Sequence, residues 1–98
     1  MASEFRDVDP RELRLPGSRQ RADALKLHHQ IARFGGASVG MPPLVAYEAS
    51  DGVLVIYNGV TRATRIAMLA PGALVPVEVI GRLRRACRCD PSIEETLP

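Results

Sequence analysis

The most constraining feature of this sequence is a glycine turn, residues 58–65, that lies between apolar segments. The turn reads Asn-Gly-Val-Thr-Arg-Ala-Thr-Arg, follows the apolar run 53–57 and opens an amphipathic run that ends at Ala70. A second apolar run, 74–80, comes next. This order predicts a strand, a turn, a helix and another strand. A glycine turn at a helix N-terminus presents backbone N–H groups to an anion, and nearby arginines favour phosphate.

The functional interpretation places a phosphate against the turn that begins at Asn58, with Arg62 holding it and Arg65 beside it. Gly59 lets the backbone approach the ligand or adopt a positive φ. Thr61 either donates its hydroxyl to the ligand or caps the helix. The alternative is an ordinary strand–helix connection with exposed arginines, because a single glycine turn is a weak signal.

Composition limits the class of protein. The chain has 98 residues, 46% of them hydrophobic, which predicts one domain with a modest core. The net charge of +2 does not demand a nucleic-acid partner. No apolar run is long enough to cross a membrane, and charged residues occupy positions 4, 6 and 7, where a signal peptide would be apolar. We therefore expect a cytoplasmic protein without a membrane partner.

Periodicity and turn residues predict an α+β fold with a small mixed sheet and two main helices. We expect a domain over residues 1–81 and a basic, then acidic, partly ordered tail over 82–98. Ser18 is the expected cap of the first helix, and Pro76 indicates an edge position or a strand start. The expected strands are 5–8, 44–47, 53–57 and 75–80, the helices are 21–34 and 61–70, and a loop spans 35–43.

Each helix is expected to bury one face. In the first helix the apolar positions include Leu27 and His28, while Lys26 and Gln30 fall on the opposite, polar face. In the second helix the buried positions are expected to be 63, 66, 67 and 70. Arg62 and Arg65 share the other face with Thr61.

The order of these pieces resembles the ParB N-terminal domain, whose fold is shared with sulfiredoxin. Members of this group carry a strand, a helix ending in glycine, a loop leading into a Pro-initiated strand, a hairpin, a Gly-x-x-Arg turn opening a helix, and a Val-Pro-Val-like strand. The corresponding segments here are 6–10, 31–36, 43–46, 51–57, 59–65 and 75–79. The resemblance covers roughly residues 5–80 and implies a stand-alone ParB/sulfiredoxin-like domain.

In ParB relatives the Gly-x-x-Arg turn binds the nucleotide phosphates, and the glycine loop before the hairpin completes the site. The resemblance therefore implies phosphate contacts at Gly59, Thr61 and Arg62, with Gly40 and Pro43 lining the opposite wall. It also implies CTP or ATP with magnesium as the ligand. ParB proteins usually carry Gly-Glu-Arg-Arg at the turn and Gln-Pro at the loop end. This chain has Gly-Val-Thr-Arg and Pro-Pro there, so the identity of the ligand stays open.

The turn excludes sulfiredoxin chemistry. In sulfiredoxin the corresponding turn is Gly-Cys-His-Arg, with the cysteine as nucleophile. That position is Val60 here, which has no nucleophilic atom, and Cys87 and Cys89 lie outside the turn. We expect the two cysteines to be reduced thiols, since neighbours at this spacing rarely form a disulfide.

The remaining polar residues give weaker signals. His28 is expected to be a packed core histidine, and adjacent histidines on a helix point too far apart to share a metal easily. Glu48 and Asp51 flank the hairpin, where we expect solvated side chains. No metal site is predicted. A basic cluster is interpreted either as a nucleic-acid contact or as a solvated segment balanced by acidic residues. It consists of Arg82, Arg84, Arg85 and Arg88.

Three functions fit these observations. The first is a small ParB-like domain that binds a nucleotide or another phosphate ligand, as an accessory of DNA maintenance or partition. The second is a nuclease or nucleotide hydrolase of the same fold, although no base or carboxylate for catalysis is obvious. The third is an interaction or dimerisation module without catalysis. Because the chain leaves no room for a helix-turn-helix domain, we do not expect sequence-specific DNA binding.

Overall fold

A four-stranded mixed sheet and two helices form the fold, which confirms the predicted α+β class. The structure is a computed structural model and describes residues 3–17 and 21–98, so the predicted cap at Ser18 lies outside the described residues. Short 3-10 turns cover Pro10–Glu12 and Glu94–Thr96. The strands are β1 (Glu4–Val8), β2 (Leu44–Glu48), β3 (Leu54–Asn58) and β4 (Val75–Arg82), and the helices are α1 (Ala24–Phe34) and α2 (Val60–Leu69).

The sheet has the order β1-β4-β2-β3. β1 pairs antiparallel with β4, β2 antiparallel with β3, and β2 parallel with β4. The last strand is therefore interior, and the prediction of an edge position for Pro76 is wrong, whereas a position near the strand start is correct. Pro76 pairs with Asp7, and β2 begins to pair one residue later, at Val77. The missing N–H of the proline thus costs no hydrogen bond to β2.

The core lies between one face of the sheet and α2. Ala63, Ile66 and Ala67 of α2 are buried, as predicted, against aliphatic residues of β2, β3 and β4. α1 packs mainly on α2 instead of on the sheet, and Leu27 is its one fully buried residue. Because so narrow a stripe of α1 is covered, His28 is exposed, and the prediction of a core histidine is wrong.

Local residues set the ends of α1. The Asp23 side chain accepts hydrogen bonds from the N–H groups of Leu25 and Lys26, at 2.8 and 3.1 Å, and caps the helix there. Gly35 ends the helix with a φ of 57°, and its N–H donates to the carbonyl of Ile31. The predicted stop at Gly35 is therefore confirmed, and the helix starts three residues later than the predicted residue 21.

The C-terminal segment packs into the fold instead of forming a partly ordered tail. Ile93 is fully buried in the main core, and its N–H donates to the carbonyl of Leu13. Cys87 is buried in a smaller cluster with Val55. The apolar residues in this segment are few and widely spaced, so no periodicity marked them. The described part of the chain has no helix with both the length and the apolar character needed to span a membrane.

Asp51 and Glu48, expected to be solvated, instead hold other segments. Asp51 accepts from the backbone N–H groups of Cys87 and Arg88, at 3.1 and 2.8 Å. Burial raises the pKa of Asp51, but these N–H groups outweigh it and the pKa lies below its ordinary value. Glu48 accepts from Arg6 and Arg82, and the hydrogen bond from Arg6 lowers the pKa of Glu48 most.

We expect acid to destabilise the fold through these two carboxylates. Because their folded-state pKa values are lowered, their contribution is complete above the ordinary pKa of 3.8 for Asp51 and 4.5 for Glu48. It is lost as the pH falls through the lower, folded-state pKa values. In urea titrations between pH 7 and pH 2.5, the urea concentration at the unfolding midpoint should decrease once the pH drops below about 4.5. The Asp51→Asn variant should show a shallower fall, and a profile identical to that of the wild type would contradict this role for Asp51.

Candidate anion site

The glycine turn has a geometry that only glycine satisfies easily. Gly59 is the N-cap of α2 and has a φ of 107°. A Cβ atom there would lie 2.7 Å from Leu44 Cδ2 and 2.9 Å from Arg62 Nη2. The backbone of the turn therefore packs directly under the Arg62 guanidinium. This contact explains why the chain has glycine at this position.

The N-terminus of α2 is uncapped by any side chain. The first helical hydrogen bond runs from the N–H of Ala63 to the carbonyl of Gly59, at 2.9 Å. The N–H groups of Val60, Thr61 and Arg62 precede that bond and have no intrahelical partner. Thr61 does not cap the helix, so its hydroxyl is not engaged in that role. The helix begins at Val60, one residue before the predicted start.

Arg62 joins the turn to the loop that precedes β2. Its Nη1 donates to the carbonyls of Pro42 and Pro43, at 2.8 and 3.2 Å. Nε and Nη2 have no hydrogen-bond partner among the described residues. Partial burial lowers the pKa of Arg62, but a guanidinium keeps its charge in proteins. The structure thus brings Arg62, Gly59 and Pro43 together, the last through its carbonyl.

Arg65 is buried, which contradicts the prediction that it shares an exposed face with Arg62. It is only 2% exposed, because α1 and the loop 35–43 cover this side of α2. Nη1 donates to the carbonyls of Gly35 and Ala37, at 2.8 and 2.7 Å, and the guanidinium lies 5.3 Å from the centre of the Phe34 ring. Burial lowers the pKa of Arg65. Arg65 therefore holds the loop 35–43 against α2.

A cavity of about 230 Å³ opens at the α2 N-terminus, and we call it the turn pocket. It is lined by Lys26 and Gln30 of α1 and by residues 58–62. The predicted residues Asn58, Gly59, Thr61 and Arg62 all line this pocket, and Lys26 and Gln30 are additions to them. The sequence placed these two on the polar face of α1, to which we assigned no function. Their spacing of four residues on one helix face was the available signal, but only the packing of α1 on α2 directs that face to the turn.

A second cavity, of about 240 Å³, lies beneath the loop 35–43, and we call it the loop pocket. Gln30 and Arg62 line both pockets, so the two cavities adjoin at these side chains. Gly40, with a φ of 74°, lines this pocket and not the turn pocket, and Pro43, expected beside it, lines neither. Arg65 lines this pocket and not the turn pocket. The apolar part of its wall is formed by Phe34, Val39, Met41 and Pro42.

Both pockets are cationic, and no carboxylate from the described part of the chain lines them. Lys26, Arg62 and Arg65 line them, and among the described residues none of the three forms an ion pair. Asp23 precedes Lys26 by one turn but caps α1 and does not line either pocket. The α2 dipole adds partial positive charge at the same point. The arrangement favours an anion with several oxygen acceptors.

The residues present do not fit a resident magnesium ion. Mg²⁺ is usually held by one or two carboxylates together with substrate phosphates. No aspartate or glutamate among the described residues lines the turn pocket or the loop pocket. No group of three or more histidine, cysteine, aspartate or glutamate side chains within the described ranges could hold a metal.

A larger cleft of about 550 Å³ lies beside β1 and the 10–12 turn, away from the glycine turn. Among the described residues, three of its four arginines pair with carboxylates, Arg88 being the exception, and Asp7, Glu12 and Glu94 also line it. Arg6 lies 3.1 Å from Glu48, Arg11 lies 2.8 Å from Asp9, and Arg14 lies 3.6 Å from Glu95. The smaller turn pocket, with unpaired cations, is therefore the better candidate for an anion site.

The basic cluster lies outside both pockets, and acidic residues contact three of its four arginines. Arg82 pairs with Glu48 at 2.7 Å, Arg85 pairs with Asp90 at 3.3 Å, and the N–H of Arg88 donates to Asp51. Arg84 is exposed and forms no ion pair within the described part of the chain. Contact between this cluster and nucleic acid stays a prediction. Arg84 is the arginine of the cluster that is most available for such a contact.

The histidines and cysteines are also remote from the turn. His28 borders a separate groove between the two helices and is not part of either pocket. Cys87 and Cys89 are free thiols. Cys87 is buried, and burial raises the pKa of its thiol, so it has the character of a packed residue rather than of a nucleophile.

Comparison with known proteins does not extend this description. No protein-family model matches the sequence, and a search of the curated proteins finds no match.

Proposed function

We propose that this protein is a small ParB-like domain that binds a phosphate-bearing ligand, with a nucleotide as the first candidate, at the turn pocket. One observation carries the proposal: Lys26 and Arg62 converge on the uncapped N-terminus of α2 in a pocket without a carboxylate among its described lining residues. Backbone N–H groups there would contact phosphate oxygens, and the two cations would neutralise their charge.

The free donors of Arg62 support this assignment. Because Nη1 is held by the carbonyls of Pro42 and Pro43, the guanidinium keeps one orientation over Gly59. Nη2 and Nε stay available for a ligand. An arginine that is already fixed loses little further side-chain entropy on binding, which favours affinity.

The family, the DNA context and the location belong to the proposal as well. The ParB-like assignment rests on the order of strands, glycine loop and Gly-x-x-Arg turn. A role in DNA maintenance and a cytoplasmic location rest on that likeness alone. No described feature of the pockets favours the hydrolase or the pure interaction module over ligand binding.

Isothermal titration with CTP, ATP and GTP tests the binding. We expect at least one of them to bind, and we expect Arg62→Ala to weaken that binding by at least about tenfold, the effect of losing one charged hydrogen-bonding group. Arg33→Ala is the matched control, since Arg33 is an exposed cation of α1 that lines neither pocket. Titrations without heat for any nucleotide, on folded protein and confirmed by a fluorescent nucleotide analogue, would refute nucleotide binding.

A further inference from the structure

We propose that this site takes the phosphate ligand as a free polyanion and that magnesium weakens the binding. This inference rests on the proposed function and specifies the charge state of the ligand. It also departs from the magnesium nucleotide that the resemblance implies. The turn pocket and the loop pocket offer cations and N–H donors where a magnesium-bound phosphate would need carboxylate or water-bearing ligands.

The first support is the charge of the two pockets. Lys26, Arg62 and Arg65 line them, and the α2 N-terminus adds partial positive charge. A magnesium ion on the ligand would cancel part of the negative charge that these groups recognise and would bring a cation toward cations. Both effects favour the metal-free phosphate.

The second support is the state of Arg65. This cation is only 2% exposed, yet no carboxylate among the described residues pairs with it. Backbone carbonyls and the C-terminal end of α1 offset part of the charge. Its Nη2 contacts only the sulfur of Met41, at 3.3 Å, which is a weak acceptor. A buried guanidinium of this kind retains positive potential that an anion in the adjoining pocket would neutralise.

The experiment compares binding in EDTA and in excess magnesium at matched ionic strength. The probes are inorganic tripolyphosphate, which tests the phosphate group alone, and CTP. We expect the dissociation constant of each to rise roughly tenfold in magnesium, the factor that corresponds to about 1.4 kcal/mol. Sodium chloride at the same ionic strength serves as the control for general screening.

The outcomes separate this inference from the proposed function. Binding that appears only with magnesium, or that tightens with it, would overturn the inference and leave the phosphate site in place. No binding of tripolyphosphate or of any nucleotide in either buffer would overturn the proposed function, and the inference with it. Weaker binding in magnesium than in sodium chloride supports both.

A variant of Lys26 gives a second readout that does not depend on the absolute affinity. With one cation removed, Lys26→Gln should reduce the magnesium effect from roughly tenfold to roughly threefold. Arg33→Gln, an equal charge change at an exposed position of the same helix, should keep the full effect. An equal loss of magnesium sensitivity in both variants would show that net charge, and not this pocket, sets the preference.

Discussion

Replacing Arg65 with alanine is expected to lower the free energy of unfolding by about 3 to 5 kcal/mol, because it leaves a cavity and removes three charge-assisted hydrogen bonds, two to backbone carbonyls and a longer one to Gln30 Oε1 at 3.4 Å. The carbonyls of Gly35 and Ala37 would lose their donor, and the loop 35–43 would lose its attachment to α2. For a domain of this size the melting temperature should fall by at least about 12 °C. Urea titration and thermal unfolding measure the two quantities.

The matched control is Arg33→Ala. The guanidinium groups of Arg33 and Arg65 both lie 5.3 Å from the centre of the Phe34 ring, but Arg33 is exposed. Arg33→Ala should therefore change the free energy of unfolding by less than about 1 kcal/mol. If the two variants lose similar stability, the buried hydrogen bonds of Arg65 do not support the fold.

A methionine at position 65 separates hydrogen bonding from volume. Arg65→Met keeps most of the side-chain bulk but leaves the two carbonyls without their donor. We expect it to be less destabilised than Arg65→Ala, since the cavity is smaller. Hydrogen exchange of residues 35–43 should rise in both variants, because the loop attachment is lost in both. Unchanged exchange in that loop would argue that other contacts hold it.

Gly59→Ala is expected to have the second-largest effect, a loss of about 2 to 4 kcal/mol of unfolding free energy together with loss of phosphate binding. An alanine at a φ of 107° is strained, and its Cβ would meet Leu44 Cδ2 at 2.7 Å. It would also press on Arg62 Nη2, at 2.9 Å, and displace the guanidinium from the turn. Denaturation and titration with tripolyphosphate measure the two consequences.

The Gly72→Ala variant measures the cost of placing alanine at a positive φ where no steric conflict occurs. Gly72 has a φ of 90°, and an added Cβ there meets no heavy atom within 4 Å. This variant should lose only about 1 to 2 kcal/mol, the cost of a left-handed alanine, and should bind normally. The difference between the two variants measures the steric conflict at the turn. Equal losses would mean that the close packing of Gly59 under Arg62 contributes nothing.

The local pattern predicted the elements well where their signals were strong and contiguous. The hairpin between β2 and β3 follows from the Asp-Gly pair at 51–52, and the glycine turn places β3, α2 and β4 in order. The C-terminal packing was missed, because Ile93 is a single apolar residue in a charged segment. One buried side chain without a periodic neighbour gives no pattern to detect.

In the candidate site, too, some residues could be predicted from local sequence and others could not. The turn residues Asn58 to Arg62 were accessible from sequence because they are contiguous, and the chemistry of a helix N-terminus is local. The contribution of Lys26 could not be predicted from the sequence, since it depends on α1 packing across the N-terminus of α2. Arg65 was misplaced for the related reason that helical periodicity shows which residues share a face but not how many faces are covered.

The sequence by itself determined the fold class, the glycine turn and the position of an arginine in the first turn of the helix, since all of these are encoded over short distances. The tertiary structure decided which cations surround the turn, which arginine is buried and which charges are already neutralised. These properties depend on contacts between residues distant in the chain, such as Arg65 with Gly35 and Glu48 with Arg6. For a phosphate site the second set matters most, because the balance of charge around the pocket selects the ligand.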